Sequence, residues 1–74
     1  MEKCYAVIRF WFNPENRHFI ADVLRIFKKL DDAAEYVESL TRYSKSEILD
    51  AFVEGSVDVT DHDRTYSIIE NVLE

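Results

Sequence analysis

The sequence predicts an α+β fold: a small two-layer domain in which an N-terminal antiparallel β-hairpin packs on a helix, followed by a second helix and a C-terminal strand. Three observations carry this expectation. Residues 3–12, KCYAVIRFWF, are rich in aromatic and β-branched side chains and meet no breaker before Asn13-Pro14. Residues 19–27, FIADVLRIF, repeat that composition after the polar connection NPENRH. In KLDDAAEYVESLTR the period then lengthens, and Leu30, Ala33, Ala34, Val37 and Leu40 fall at the i, i+3, i+4, i+7 spacing of a helical stripe.

Each element has its own local logic. In the first strand, alternation separates an uninterrupted apolar row, Cys4, Ala6, Ile8, Phe10 and Phe12, from a mixed row, Lys3, Tyr5, Val7, Arg9 and Trp11. The apolar row is the expected core face. Asn13-Pro14 turns the chain, because proline fixes φ and asparagine bonds its neighbours. The phase of the second strand stays open: Ile20, Leu24 and Ile26 share a face with Asp22, whereas Phe19, Ala21, Val23 and Phe27 share one with Arg25. A hairpin is the simplest pairing, since antiparallel neighbours need only a short connection.

Asp32 and Glu35 fit an Asp-x-x-Glu capping pattern, and the early acids suit the positive end of the helix dipole. Ser44 and Glu47 offer a second capping box ahead of the stripe Ile48, Leu49, Phe52 and Val53, with Gly55 placed to end that helix in a left-handed conformation. Val57 to Thr60 reads as a strand fragment or as irregular chain. The tail TYSIIENVLE fits either a helix, through Ile68, Ile69, Val72 and Leu73, or a strand, through Tyr66, Ile68 and Val72. A strand is favoured, because a lone hairpin is a marginal sheet and a third strand completes it.

Seventy-four residues without a repeat, low-complexity run or linker imply one domain, residues 1–74. Cys4 is the only cysteine, so no internal disulfide forms and a reducing, cytoplasmic setting is expected. Arg9 interrupts the apolar N-terminal segment, no small-residue cleavage pattern follows it, and no run is long enough to span a bilayer. No membrane partner is expected.

The formal charge of −6 argues against a generic binder of phosphate backbones. It is unevenly spread: residues 1–30 hold six bases against three acids, a net +3, and residues 31–74 hold three bases against twelve acids, a net −9. A single glycine, Gly55, cannot build a phosphate-cradling loop or a dinucleotide fingerprint, so no nucleotide cofactor is expected.

Chemically capable groups crowd together only in DVTDHDRTY, residues 58–66. Asp58, Asp61, His62 and Asp63 have ligand types that suit a divalent cation. The spacing lacks the glycine and terminal glutamate of a calcium loop. The pair His62-Asp63 is similar to the metal-binding dyad of a large phosphohydrolase family, but those enzymes draw further histidines from other helices, and only His18 remains to supply one. A solvated turn opened by aspartate is the stronger expectation, with no metal and no catalytic residue. Cys4, alternating with Ala6, Ile8 and Phe10, is expected to be buried and inert.

The sharpest functional expectation concerns a sheet face. If Phe19, Val23, Arg25 and Phe27 lie beside Tyr5, Arg9 and Trp11, aromatic rings interleave with arginines. Such a face can anchor a protein partner or a second copy, with Tyr5, Arg9, Trp11, Arg25 and Phe27 as contacts. It can alternatively stack single-stranded nucleic acid. A third option is that the rings are core under the helices, with the arginines reaching outward along their stems. The expectation is therefore a non-enzymatic binding or accessory protein, with nucleic acid as the alternative partner. The acids on the outer helix faces could also imitate a phosphate array, although such charges ordinarily only solvate a helix.

Overall fold

The computed structural model describes residues 2–73; residues 1 and 74, which belong to the N-terminal segment and the tail discussed above, lie outside it. The first long strand, β1 (Glu2–Asn13), turns back at Asn13-Pro14 into β2 (His18–Phe27). Asn13 Oδ1 accepts the Glu15 N–H at 3.0 Å, and Arg17 takes a left-handed φ of 57° to close the turn. The expected hairpin forms, with Phe12 opposite Phe19 and Tyr5 opposite Phe27.

Two short helices follow. In α1 (Leu30–Leu40), Ala33, Ala34 and Val37 are buried, as the helical stripe requires. Its start differs from the Asp-x-x-Glu expectation. Lys29 is the N-cap and makes no side-chain cap, so Asp32 lies inside the first turn, where it and Asp31 meet the helix dipole without capping it. Helix α2 (Lys45–Ala51) has the capping box that Ser44 and Glu47 foretell: Ser44 Oγ accepts the Glu47 N–H at 3.2 Å, and the Glu47 carboxylate faces the Ser44 N–H at 3.4 Å.

Gly55 works differently from expectation. The helix stops at Ala51, and Glu54 and Gly55 then form a two-residue turn, with φ of 55° and 84°, between the mutually hydrogen-bonded Val53 and Ser56. Positive φ at both central positions is the demand of a tight hairpin turn, which explains the glycine. Beyond it run β3 (Ser56–Asp61) and β4 (Arg64–Leu73), joined by the two-residue loop His62-Asp63 with φ of 59° at His62. The segment that read as fragmentary is thus a full strand, and the tail is a strand, as favoured.

Among the described residues the sheet is antiparallel, in the order β2-β1-β4-β3. That order decides where the helices go. The chain leaves β2 at one edge and must reach β3 at the other, and α1 and α2 make the crossing on one side only. Their buried side chains meet Val7, Val57, Val59, Tyr66 and Ile68, with Tyr5, Leu24, Phe27, Tyr36, Leu49 and Phe52 packed around them. The core face of β1 is therefore the mixed row. The row Ala6, Ile8, Phe10 and Phe12 faces the other way, reversing the expectation, while Cys4 in that row is buried as expected.

A bulge resolves the open phase of β2. Val7 pairs with Arg25 but Ile8 pairs with Val23, so Leu24 is the extra residue. Before the bulge, Ile20, Asp22 and Leu24 lie on the helix side; after it, Phe27 joins them. Phe19, Ala21, Val23 and Ile26 fall on the opposite side. No helix among the described residues is long and apolar enough to cross a membrane.

Candidate functional site

The five contacts named from sequence, Tyr5, Arg9, Trp11, Arg25 and Phe27, all lie on the helix-bearing side, without the Phe19 and Val23 that were expected beside them. Tyr5 packs edge-on against Phe52, with ring centroids 6.3 Å apart, and Phe27 packs against Tyr36 at 5.5 Å. Both rings are thus part of the packing under the helices. The Arg25 guanidinium stands 5.4 Å from the Phe27 ring centroid, a cation–π contact. With Asp32, Glu35 and Tyr36, these two residues line a shallow, open depression of about 480 Å³ at the sheet edge.

Arg9 and Trp11 are tied to one acid. Arg9 Nη2 donates to Asp22 Oδ2 at 3.1 Å, and Trp11 Nε1 donates to the same oxygen at 3.3 Å. These two donors hold the Asp22 carboxyl below its ordinary range, because they favour the charged form. The Tyr5 hydroxyl is pushed upward by desolvation and by the charge of Glu70. Arg9 is thereby engaged in an ion pair with Asp22, while Arg25 on the same side is exposed.

The crowded stretch 58–66 comes apart in the sheet. Strand alternation sends Asp58 and Asp61 to opposite faces. On the side away from the helices, Asp58 accepts a hydrogen bond from Ser67 Oγ. Asp61, nearly buried, accepts the Arg42 N–H at 2.9 Å and pairs with Arg42 Nε at 3.4 Å and His62 Nε2 at 3.6 Å, fastening the connection between the helices to the end of β3. His62 and Asp63 form the exposed turn. No group of three or more His, Cys, Asp or Glu side chains converges among the described residues.

What stands open is the far side of the sheet. Phe19 is 79% exposed, Val23 63%, Ile26 61%, Phe12 44% and Ile69 38%. Between them lie the half-buried Ala6, Ile8 and Phe10 and the exposed Ala21. Phe12 and Phe19 pack edge-to-face with centroids 5.1 Å apart, so the tip of the hairpin carries a preformed aromatic pair. Toward β4 and β3 the face turns polar, with Thr65, Ser67, Asp58 and Thr60 joined by the Ser67–Asp58 and Thr60–Thr65 hydrogen bonds. Alternation along the strands puts Asp58 and, at one end, Glu2 on this side, but no lysine or arginine.

Sequence reasoning missed this surface because the uninterrupted row Ala6, Ile8, Phe10 and Phe12 looks like core. A signal pointing the other way was present in the second half of the chain. In β3 and β4, Val57, Val59, Tyr66 and Ile68 alternate with Asp58, Thr60, Thr65 and Ser67. Two helices crossing on the apolar side of those strands must leave the opposite side bare. No family model, curated protein or solved structure matches the chain.

Proposed function

We propose that the protein is a non-enzymatic binding or accessory module that acts through a protein interface, and that the bare face of the sheet is that interface. One observation carries the proposal: Phe12, Phe19, Val23, Ile26 and Ile69 form a contiguous exposed apolar surface on the side that no helix among the described residues covers. Since a fully covered aromatic ring buries ~150–250 Å², these five side chains present on the order of 500 Å² of apolar surface, toward the top of the ~300–600 Å² that the largest patch on a monomer reaches. An apolar centre with a polar margin is the make-up of an interface core and rim.

The charge pattern favours a protein over nucleic acid. Phosphate binding needs cations on the contacting face, and the strands place none there. Arg9, on the other side, is bound to Asp22. The groups that could have done chemistry in residues 58–66 face away from one another, which supports the non-enzymatic part.

A photo-crosslinking amino acid placed singly at Phe19, Val23 or Asp50 in cells that express the chain tests the proposal. Asp50 is an exposed position on α2. Discrete protein adducts from the two sheet positions and none from Asp50 are the expected result. Sheet positions that give no protein adduct, or no more than Asp50 gives, would overturn it.

A further inference from the structure

Building on the interface just proposed, we infer that the occupant of the bare face is a second copy of this chain, packed sheet against sheet about a two-fold axis. Charge is the first argument. A protein of net charge −6 repels its own copies, and any dimer must bring them together where the charge is least. The helix side carries Asp31, Asp32, Glu35, Glu38, Glu47 and Asp50, all exposed; Glu35 pairs with Lys45 Nζ at 3.6 Å and Glu38 accepts the Lys45 N–H at 2.7 Å. The bare face has almost no charge. Two sheets packed about 10 Å apart, each with its helix layer outermost, hold the two acidic surfaces roughly 30 Å from each other. That is well beyond the ~8–10 Å over which salt screens charge.

The second argument is area. Strands about 4.8 Å apart and six to twelve residues long make a face of roughly 600 Å² per molecule. Two such faces reach about 1,200 Å² in total, the lower bound for a stable specific interface. A two-fold axis running across the strands lays β2 and β1 of one copy over β2 and β1 of the other, so the lopsided pattern of one molecule, apolar on β2 and β1 and polar on β4 and β3, needs no differently patterned partner. Two inner faces of interdigitated apolar side chains are how sheet sandwiches make a core.

Sedimentation equilibrium of the wild type, of Val23→Lys and Val23→Glu separately, and of the two variants mixed in equal amounts, tests this. Val23 is mostly exposed in a single copy, so neither change disturbs the fold, which circular dichroism checks. The wild type is expected to be a dimer, each variant to associate at least about a hundredfold more weakly, since like charges are brought together on a desolvated face, and the mixture to recover association. Should a Val23 variant lose its strand signal, Phe19→Lys and Phe19→Glu, at the most exposed ring, supply the same comparison.

A wild type that stays monomeric at every concentration up to about 1 mM, far weaker than any specific dimer, overturns the inference. Face adducts of another mass would then leave the broader interface standing, whereas a monomer with no adducts would remove both. A dimer indifferent to the substitutions also overturns the inference and moves the contact to the sheet edges.

Discussion

Ile68 and Ile69 are neighbours in β4 with the same side chain, and they separate the two sides of the sheet in one experiment. Ile68 is 1% exposed, beneath the helices, and Ile69 is 38% exposed on the bare face. Truncation to alanine removes three carbons, and at about 0.8 kcal/mol for each buried one the transfer loss at Ile68 is about 2.4 kcal/mol. The closed core cannot collapse fully, and a residual cavity of about 50 Å³ adds about 1.2 kcal/mol. Ile68→Ala should therefore cost roughly 3.5 kcal/mol, which at about 4–8 °C per kcal/mol for a domain this small lowers Tm by about 14–28 °C. Ile69→Ala loses only part of that transfer term and leaves no closed cavity, so about 1 kcal/mol is expected. Urea unfolding followed by circular dichroism at low micromolar concentration measures both without a contribution from self-association. Equal costs, or a larger one at Ile69, would mean that the helices cover the other side of the sheet and would refute the argument.

Other sites test separate pieces of the physics. Ser44→Ala deletes the capping box of α2 and should cost about 1 kcal/mol in urea unfolding, whereas Ser39→Ala, on an exposed side chain of α1, should stay within about 0.5 kcal/mol. Gly55→Ala meets only ordinary contact with the Glu70 Cβ at 3.8 Å, so its cost of about 1–2 kcal/mol arises from the positive φ of 84° and should be smaller for Gly55→Asn, which tolerates that conformation. Asp22 titrates lower in the folded state than in the unfolded one, so its bonds to Arg9 and Trp11 contribute stability that is present above the unfolded carboxylate range near pH ~4 and lost as pH falls through the folded value. Asp22→Asn should accordingly flatten part of the acid limb of a Tm-against-pH curve below about pH 4, and an unchanged slope would show that those bonds do not form in solution.

How far the sequence carries the fold depends on whether a signal is local. The strand at 3–12, the hairpin, the stripe of α1 and the Ser44 capping box are written in neighbouring residues, and each appears where the pattern puts it. Gly55 shows the limit of the same reasoning. A glycine after a helical stripe suits a helix end, but here Glu54 shares its left-handed geometry and the pair forms a hairpin turn into β3. Asp32 fails in the same way, since Leu30 has to reach the core and the helix begins before the acid that could have capped it.

The candidate site was legible in composition but not in orientation, and the cause is the sheet order. A strand with an apolar row and a mixed row goes core-side by the apolar row only if one row must be buried and the other can stay wet. Here β1 is central, so both rows are partly shielded by β2 and β4, and what decides between them is where the crossing helices find partners. Val7 has Ile68 beside it and Val57 one strand further, a run of β-branched side chains matched to the alanines of α1. Ile8 has Val23 on one side but the buried Ser67 and then the exposed Asp58 on the other, so a helix laid across that face would take the Asp58 carboxylate out of water. The polar half of the sheet thus excludes the helices from the side that holds the aromatic pair Phe12 and Phe19. That same polarity lets another sheet approach, because an interface tolerates at its rim the hydrogen-bonded groups that a core does not.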